Sequence, residues 1–270
     1  MAQGRARGRG AVALAGGVLG VLALAGCASG AADGARGGGP TAAGTPTGTV
    51  TVFAAASLQR TFTTIGRDFE RAHPGTTVRF SFAGSSDLVS QIRNGAPADV
   101  VASADRATTA ELGADLLAAG SPRDFATNTL EIAVAPGNPH RVRDLRDLTA
   151  SDVQLVTCAA PVPCGAATVA VERASGVHLR PVSEEQSVTD VLGKVTAGQA
   201  DAGIVYRTDV QGAGDAVDGV SFAAADDVVN TYPISVLRDS SNPDGARAFA
   251  AYVRSSDGQR VLAAAGFGKP

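Results

Sequence analysis

The sequence predicts an α/β fold, on three observations. Short runs of alternating apolar and β-branched residues give way repeatedly to segments whose apolar residues recur at helical spacing. Two of these junctions share one form, a strand that breaks at serine and continues as a helix, at Val50–Leu58 and Thr77–Leu88. The stretch from Thr49 to Pro270 has the length of one large or two small domains, and it contains no repeat and no second linker.

The chain opens on a leader. Arg5, Arg7 and Arg9 form a basic start, and the apolar run Ala11–Ala23 is too short to span a bilayer. It ends in Leu24-Ala25-Gly26-Cys27, the lipobox pattern of a bacterial lipoprotein, which predicts a signal peptide over 1–26 and lipid on the Cys27 thiol. The bland alternative is a secretory signal with an incidental cysteine. A lipid would anchor the chain to the outer face of the cytoplasmic membrane without crossing it. Loss of the three arginines takes the formal net charge from −3 to −6. With no basic patch, no tryptophan and few aromatics, nothing points to nucleic acid. Residues 27–48 are rich in Gly, Ala, Thr and Pro and read as a flexible tether. A coil of that length reaches about 25 Å.

In the body, Val50–Phe53 is an alternating strand, and Leu58, Phe62, Ile65 and Phe69 mark the helix after it. Thr77–Phe82 is a second strand, broken at Ala83-Gly84 before a helix through Leu88, Val89 and Ile92. A turn at Asn94–Ala98 leads to a buried strand, Asp99–Ala102, and a helix is expected near Ala107–Ala119. Strands follow at Leu130–Ala135, Gln154–Thr157, Asp201–Tyr206 and Tyr232–Leu237. Between and after them, helices are expected at Ala166–Ala174, Ser187–Val195, Pro243–Arg254 and Asp257–Ala265. The mixed run from Arg141 to Asp147 reads as solvated surface, and Glu184-Glu185 as the mark of a helix start.

Serine at a helix start has two readings. It is either an ordinary N-cap or, with the free first-turn N–H groups and the helix dipole, an uncharged anion site. Two matched corners at Ser57 and Ser85 favour a shared ligand. Cys158 and Cys164 remain once Cys27 carries lipid. Export to an oxidising compartment and their spacing predict a Cys158–Cys164 disulfide. A redox couple or a metal site is the alternative, but the spacing is not C-x-x-C. The three histidines, His73, His140 and His178, are scattered.

Four segments carry a resemblance: Phe53-Ala54-Ala55-Ala56-Ser57-Leu58, Phe82-Ala83-Gly84-Ser85-Ser86, Gly95-Ala96-Pro97-Ala98-Asp99-Val100 and Gly203-Ile204-Val205-Tyr206. Asn242-Pro243, Gly258-Gln259 and Gly266-Phe267 extend it to the C-terminus. In this order they resemble the molybdate-binding proteins, the extracytoplasmic solute receptors of molybdate ABC importers. The resemblance implies a two-lobed periplasmic-binding-protein fold of type II, with the anion in a cleft between lobes. It puts lobe 1 at 49–128 plus 231–270, lobe 2 at 129–230, and hinges near Ala126–Leu130 and Val229–Tyr232. It also implies five oxyanion ligands: hydroxyl and N–H from Ser57 and Ser85, backbone N–H from Cys164 and Val188, and the Tyr206 phenol. A cysteine where the family usually has a small residue is a departure, and its disulfide could restrict closure of that loop. Tyr206 without the resemblance reads equally well as packing.

The implied chemistry is consistent. Neutral donors avoid a buried ion pair and give charge-assisted hydrogen bonds to an oxyanion. A site of donors alone rejects a protonated anion, whose O–H would face another donor. Hydrogen phosphate is then refused by polarity and sulfate by its smaller size. The expected ligand is molybdate or tungstate, with no cofactor and no metal beyond that of the oxyanion. The expected partners are the permease subunits of an importer, and the chain is expected to be a monomer without catalysis. A receptor for sulfate, phosphate or another small solute is the rival. A secreted serine hydrolase is the remote alternative, since neither serine sits in G-x-S-x-G. No P-loop or dinucleotide fingerprint occurs.

Overall fold

A computed structural model describes residues 46–270. The leader, the lipobox cysteine Cys27 and the tether up to residue 45 lie outside the described residues. In chain order the elements are β1 (Gly48–Ala55), α1 (Gln59–Ala72), β2 (Thr76–Ala83), α2 (Ser85–Arg93), β3 (Val100–Ala102) and α3 (Arg106–Ala110). Then come β4 (Arg123–Val134), β5 (Leu155–Cys158), α4 (Pro163–Ser175), β6 (Ser183–Glu185), α5 (Val188–Thr196) and β7 (Ala202–Tyr206). The chain closes with α6 (Arg207–Ala213), β8 (Asp218–Val220), β9 (Val229–Val236), α7 (Pro243–Arg254) and α8 (Ser256–Ala264).

The strands hydrogen-bond in the order β2-β1-β3-β9-β4-β7-β5-β6, with β8 added on β4. The order contains two parallel triads. β1 runs parallel to β2 and β3, and β5 runs parallel to β6 and β7. Between them lie β9 and β4, antiparallel to each other. β4 serves both sides: Arg123–Thr129 pairs with β9, and Leu130–Val134 pairs with β7. Asn128 faces Asn230 in this ladder, and Ala126 faces Tyr232.

Helices α1, α2 and α7 pack on the first triad, and α4 and α5 on the second. The buried face of α1 is Phe62, Ile65 and Phe69, as the spacing predicts. Phe62 meets Phe125 and Phe249 edge-on, with ring centroids 5.7 and 6.0 Å apart. Each such buried ring contributes about 1.5–3 kcal/mol through area alone. Asp99, in the Ala98-Asp99 motif, is a structural carboxylate. It accepts from the Thr51 and Asn242 N–H groups and from the Ser240 and Ser241 hydroxyls. Burial works to raise its pKa, but these donors outweigh it and hold the carboxyl below its usual value.

Several expectations need correction. The helix near Ala107–Ala119 stops at Ala110. Gly113 turns the chain at φ 71°, and Ala118 N–H then donates to Val236 of β9. The alanine-rich run thus pairs with the end of β9. The helix expected from Ala166 starts at Pro163, because proline's fixed φ suits the first helical position. Glu184 and Glu185 lie in β6, and Ser187 caps α5 instead. β4 begins at Arg123 and β9 at Val229, both earlier than the alternation shows. β1 begins at Gly48, so the end of the expected tether is part of the sheet. In the mixed charge run, Leu145 is buried and Asp144 caps a short 3-10 turn.

Candidate functional site

The five residues singled out in the sequence line one cavity. Ser57, Ser85, Cys164, Val188 and Tyr206 surround it, with Ala56, Gly84 and Ala104 completing the wall on the side of the first triad. The topology explains the convergence. Ser57 follows β1, Ser85 follows β2, Cys164 follows β5, Val188 follows β6, and Tyr206 ends β7. Each triad therefore directs the carboxyl ends of its parallel strands at the same point, where open α/β sheets place ligands. The cavity is about 10 Å³, far too small for an organic solute.

Main-chain donors come from helix starts. Ser85 is the first residue of α2, Val188 the first of α5, and Cys164 the second of α4. N–H groups in a first helical turn have no partner within the helix, and the dipole makes this end positive. The N-cap reading fails for both serines. Ser57 sits inside a 3-10 turn over Ala56–Leu58, and the α2 cap is Gly84. Cys164 is bonded to Cys158, which ties the start of α4 to the end of β5.

The hydroxyls are oriented by what they accept. Ser85 Oγ accepts the Ala104 N–H at 3.1 Å. Tyr206 Oη accepts from Asn230 Nδ2 at 3.1 Å. The same amide group donates to the Ala104 carbonyl, which fixes its orientation. Tyr232 Oη accepts from Asn128 Nδ2 at 3.4 Å and lies 3.1 Å from Ser57 Oγ. The Asn128 orientation is fixed in turn, since its Oδ1 accepts the Thr129 N–H. The Ser57–Tyr232 bond can run in either direction, since both groups are hydroxyls. Ser85 and Tyr206 accept from the protein, and each has its own proton to donate into the cavity.

No charged side chain lines the cavity. Tyr206 is 1% exposed, and burial first, then Tyr232, Asp105 and Asp209, push its pKa well up. Burial likewise raises Tyr232. Both phenols stay protonated donors at any physiological pH. Behind Tyr206, the Asp209 carboxylate accepts its backbone N–H at 3.0 Å. Burial lifts the Asp209 pKa to about 7, opposed by that N–H and by Arg60.

The residues not foreseen are Tyr232, Asn230, Asn128 and Ala104, which orient the hydroxyls, and Gly84. Tyr232 and Asn230 lie on β9, far in sequence from the motifs, and no local pattern announces them. A much larger concavity, about 780 Å³, lies elsewhere, beside α3 and Ala114–Pro122. Its two arginines are engaged, Arg106 by Asp124 and Arg238 by the Ala114 carbonyl.

Comparison with known proteins agrees with this geometry. The pattern of the bacterial extracellular solute-binding protein family matches residues 50–268. The molybdate-binding protein ModA of Mycobacterium tuberculosis H37Rv is 51% identical over 221 residues, 82% of this chain and 85% of that protein. Among solved structures, the periplasmic molybdate-binding protein of Azotobacter vinelandii superimposes with a TM-score of 0.72 at 21% identity, covering 82% of this chain and 99% of that one. The sulfate-binding protein SubI of M. tuberculosis H37Rv gives 0.67 at 22%, covering 81% and 86%. At such identities these two establish the fold alone, and the fold serves more than one anion. The chain belongs to the bacterial extracellular solute-binding proteins. Within that family its sequence groups with the molybdate-binding proteins. Among the described residues no helix is long and apolar enough to cross a membrane.

Proposed function

We propose that this chain is the extracytoplasmic receptor of a molybdate ABC importer, taking molybdate or tungstate and handing it to the permease. The observation that carries the reading is an uncharged cavity where hydroxyls with a proton to give meet the N–H groups of helix starts. The ligands on this reading are Ser57, Ser85, Cys164, Val188 and Tyr206. A dianion among such donors gains charge-assisted hydrogen bonds without a buried countercharge. Relatives named for molybdate at 51% identity support the choice of anion.

In this reading the first triad with residues 49–128 and 231–270 is lobe 1, and 129–230 is lobe 2. The paired crossovers, Ala126–Leu130 and Val229–Tyr232, are the hinge. The protein works as a monomer, held to the outer face of the membrane by lipid on Cys27. On this reading it acts as a receptor, without catalysis.

Calorimetric titration of the purified full-length chain with molybdate, tungstate, sulfate and phosphate tests this. The first two are expected to bind one-to-one and the others to give no heat. Ser85→Ala is expected to weaken binding about 10- to 100-fold, the loss of one hydrogen bond to a charged group. Binding of sulfate or phosphate instead would keep the receptor and change its ligand.

A further inference from the structure

Gly84 has an ordinary backbone, φ −57° and ψ 139°, which any residue adopts. Its lack of a side chain matters for another reason. A Cβ placed there would lie 2.1 Å from the Gln186 carbonyl oxygen. That oxygen is main chain and cannot swing aside. It belongs to the segment that enters α5, two residues before Val188. Gly84 in turn precedes Ser85. A close approach of the two sides of the cavity thus falls within two residues of a proposed ligand on each.

Two further bonds join the same sides. Ser86 Oγ donates to the Pro161 carbonyl at 2.7 Å, and the Arg60 guanidinium donates to the Gly212 carbonyl. Both resemble the Gly84 contact in their placement. Ser86 stands next to Ser85, and Arg60 lies three residues beyond Ser57. Each acceptor is a main-chain oxygen of the opposite half, just ahead of α4 or within α6. Each serine corner therefore carries one group for the anion and one for the far wall.

We propose that Gly84 sets how far the cleft closes, and that Ser86 and Arg60 are positioning residues that latch it shut. The inference rests on the receptor reading. With Ala at 84 the halves must stay apart to clear the Gln186 oxygen. Ser57 and Ser85 can then no longer donate to the same anion as Cys164 and Val188. The open protein is unaffected, because the backbone at Gly84 accepts alanine and the conflict exists only across the cleft.

The test uses the full-length chain as wild type, Gly84→Ala, Ser86→Ala, Ser86→Thr and Arg60→Ala. Melting temperature without anion, small-angle scattering with and without molybdate, and molybdate association and dissociation rates are measured. Gly84→Ala is expected to melt like wild type without anion, to show no contraction on adding molybdate, and to lose affinity on the order of 100-fold. Ser86→Ala and Arg60→Ala are expected to lose about three- to tenfold each, in the dissociation rate, the scale of one hydrogen bond. Ser86→Thr keeps the hydroxyl and is expected to restore the wild-type rate. Wild-type affinity or contraction in Gly84→Ala overturns the inference alone. So does a lowered melting temperature without anion, which would make the glycine a requirement of the fold. A wild-type chain that does not bind molybdate overturns the receptor reading and this inference with it.

Discussion

A hydroxyl can donate or accept, so its value at an anion site depends on which role its neighbours have already taken. Asn230 and the Ala104 N–H take up acceptor capacity on Tyr206 and Ser85 and leave their protons for the ligand. Asp209 is the one buried carboxylate set close behind this group. Its folded-state pKa of about 7 lies above the ordinary 3.8. The native state therefore holds this proton more tightly than the unfolded chain does. The resulting stability is full below pH 3.8, declines as pH rises, and is gone above about 7. Wild type minus Asp209→Asn is expected to show this downward slope between those limits when unfolding is followed against pH. A flat difference would contradict the burial argument.

At the scale of elements, the site is made from ends. The carboxyl ends of the parallel strands β1, β2, β3, β5, β6 and β7, with the residues just after them, supply every group that lines the cavity, and α2, α4 and α5 contribute their N-terminal turns. The Cys158–Cys164 link fixes one such end by joining β5 to α4 across six residues. Replacing both cysteines with alanine is expected to lower stability by about 2 kcal/mol, the chain-entropy value for so short a loop. Denaturant unfolding measures it. The sequence displays several of these ends, through strand alternation broken at small residues and serine for β1 and β2 and at proline for β5. It displays β6, α6 and the early start of β4 poorly. β6 has three residues and owes its existence to pairing with β5. The first residues of β4 are strand only because β9 lies beside them.

For the whole molecule, two parallel triads meet through β4 and β9, and the cavity forms where their carboxyl edges face each other. All five ligand candidates were legible as local motifs. What tunes them was not: Tyr232 acts on Ser57 across 175 residues of sequence, and Gly84 meets Gln186 across about 100. Such relations exist only once the sheet is assembled. The central claim is that one tetrahedral oxyanion sits among these neutral donors. The most direct measurement is a crystal structure of the chain grown with tungstate, read from anomalous scattering at the tungsten edge. The account predicts a single strong peak enclosed by the hydroxyls of Ser57, Ser85 and Tyr206 and the N–H groups of Cys164 and Val188. A peak elsewhere, or a tungstate held by arginine or lysine side chains, would contradict it.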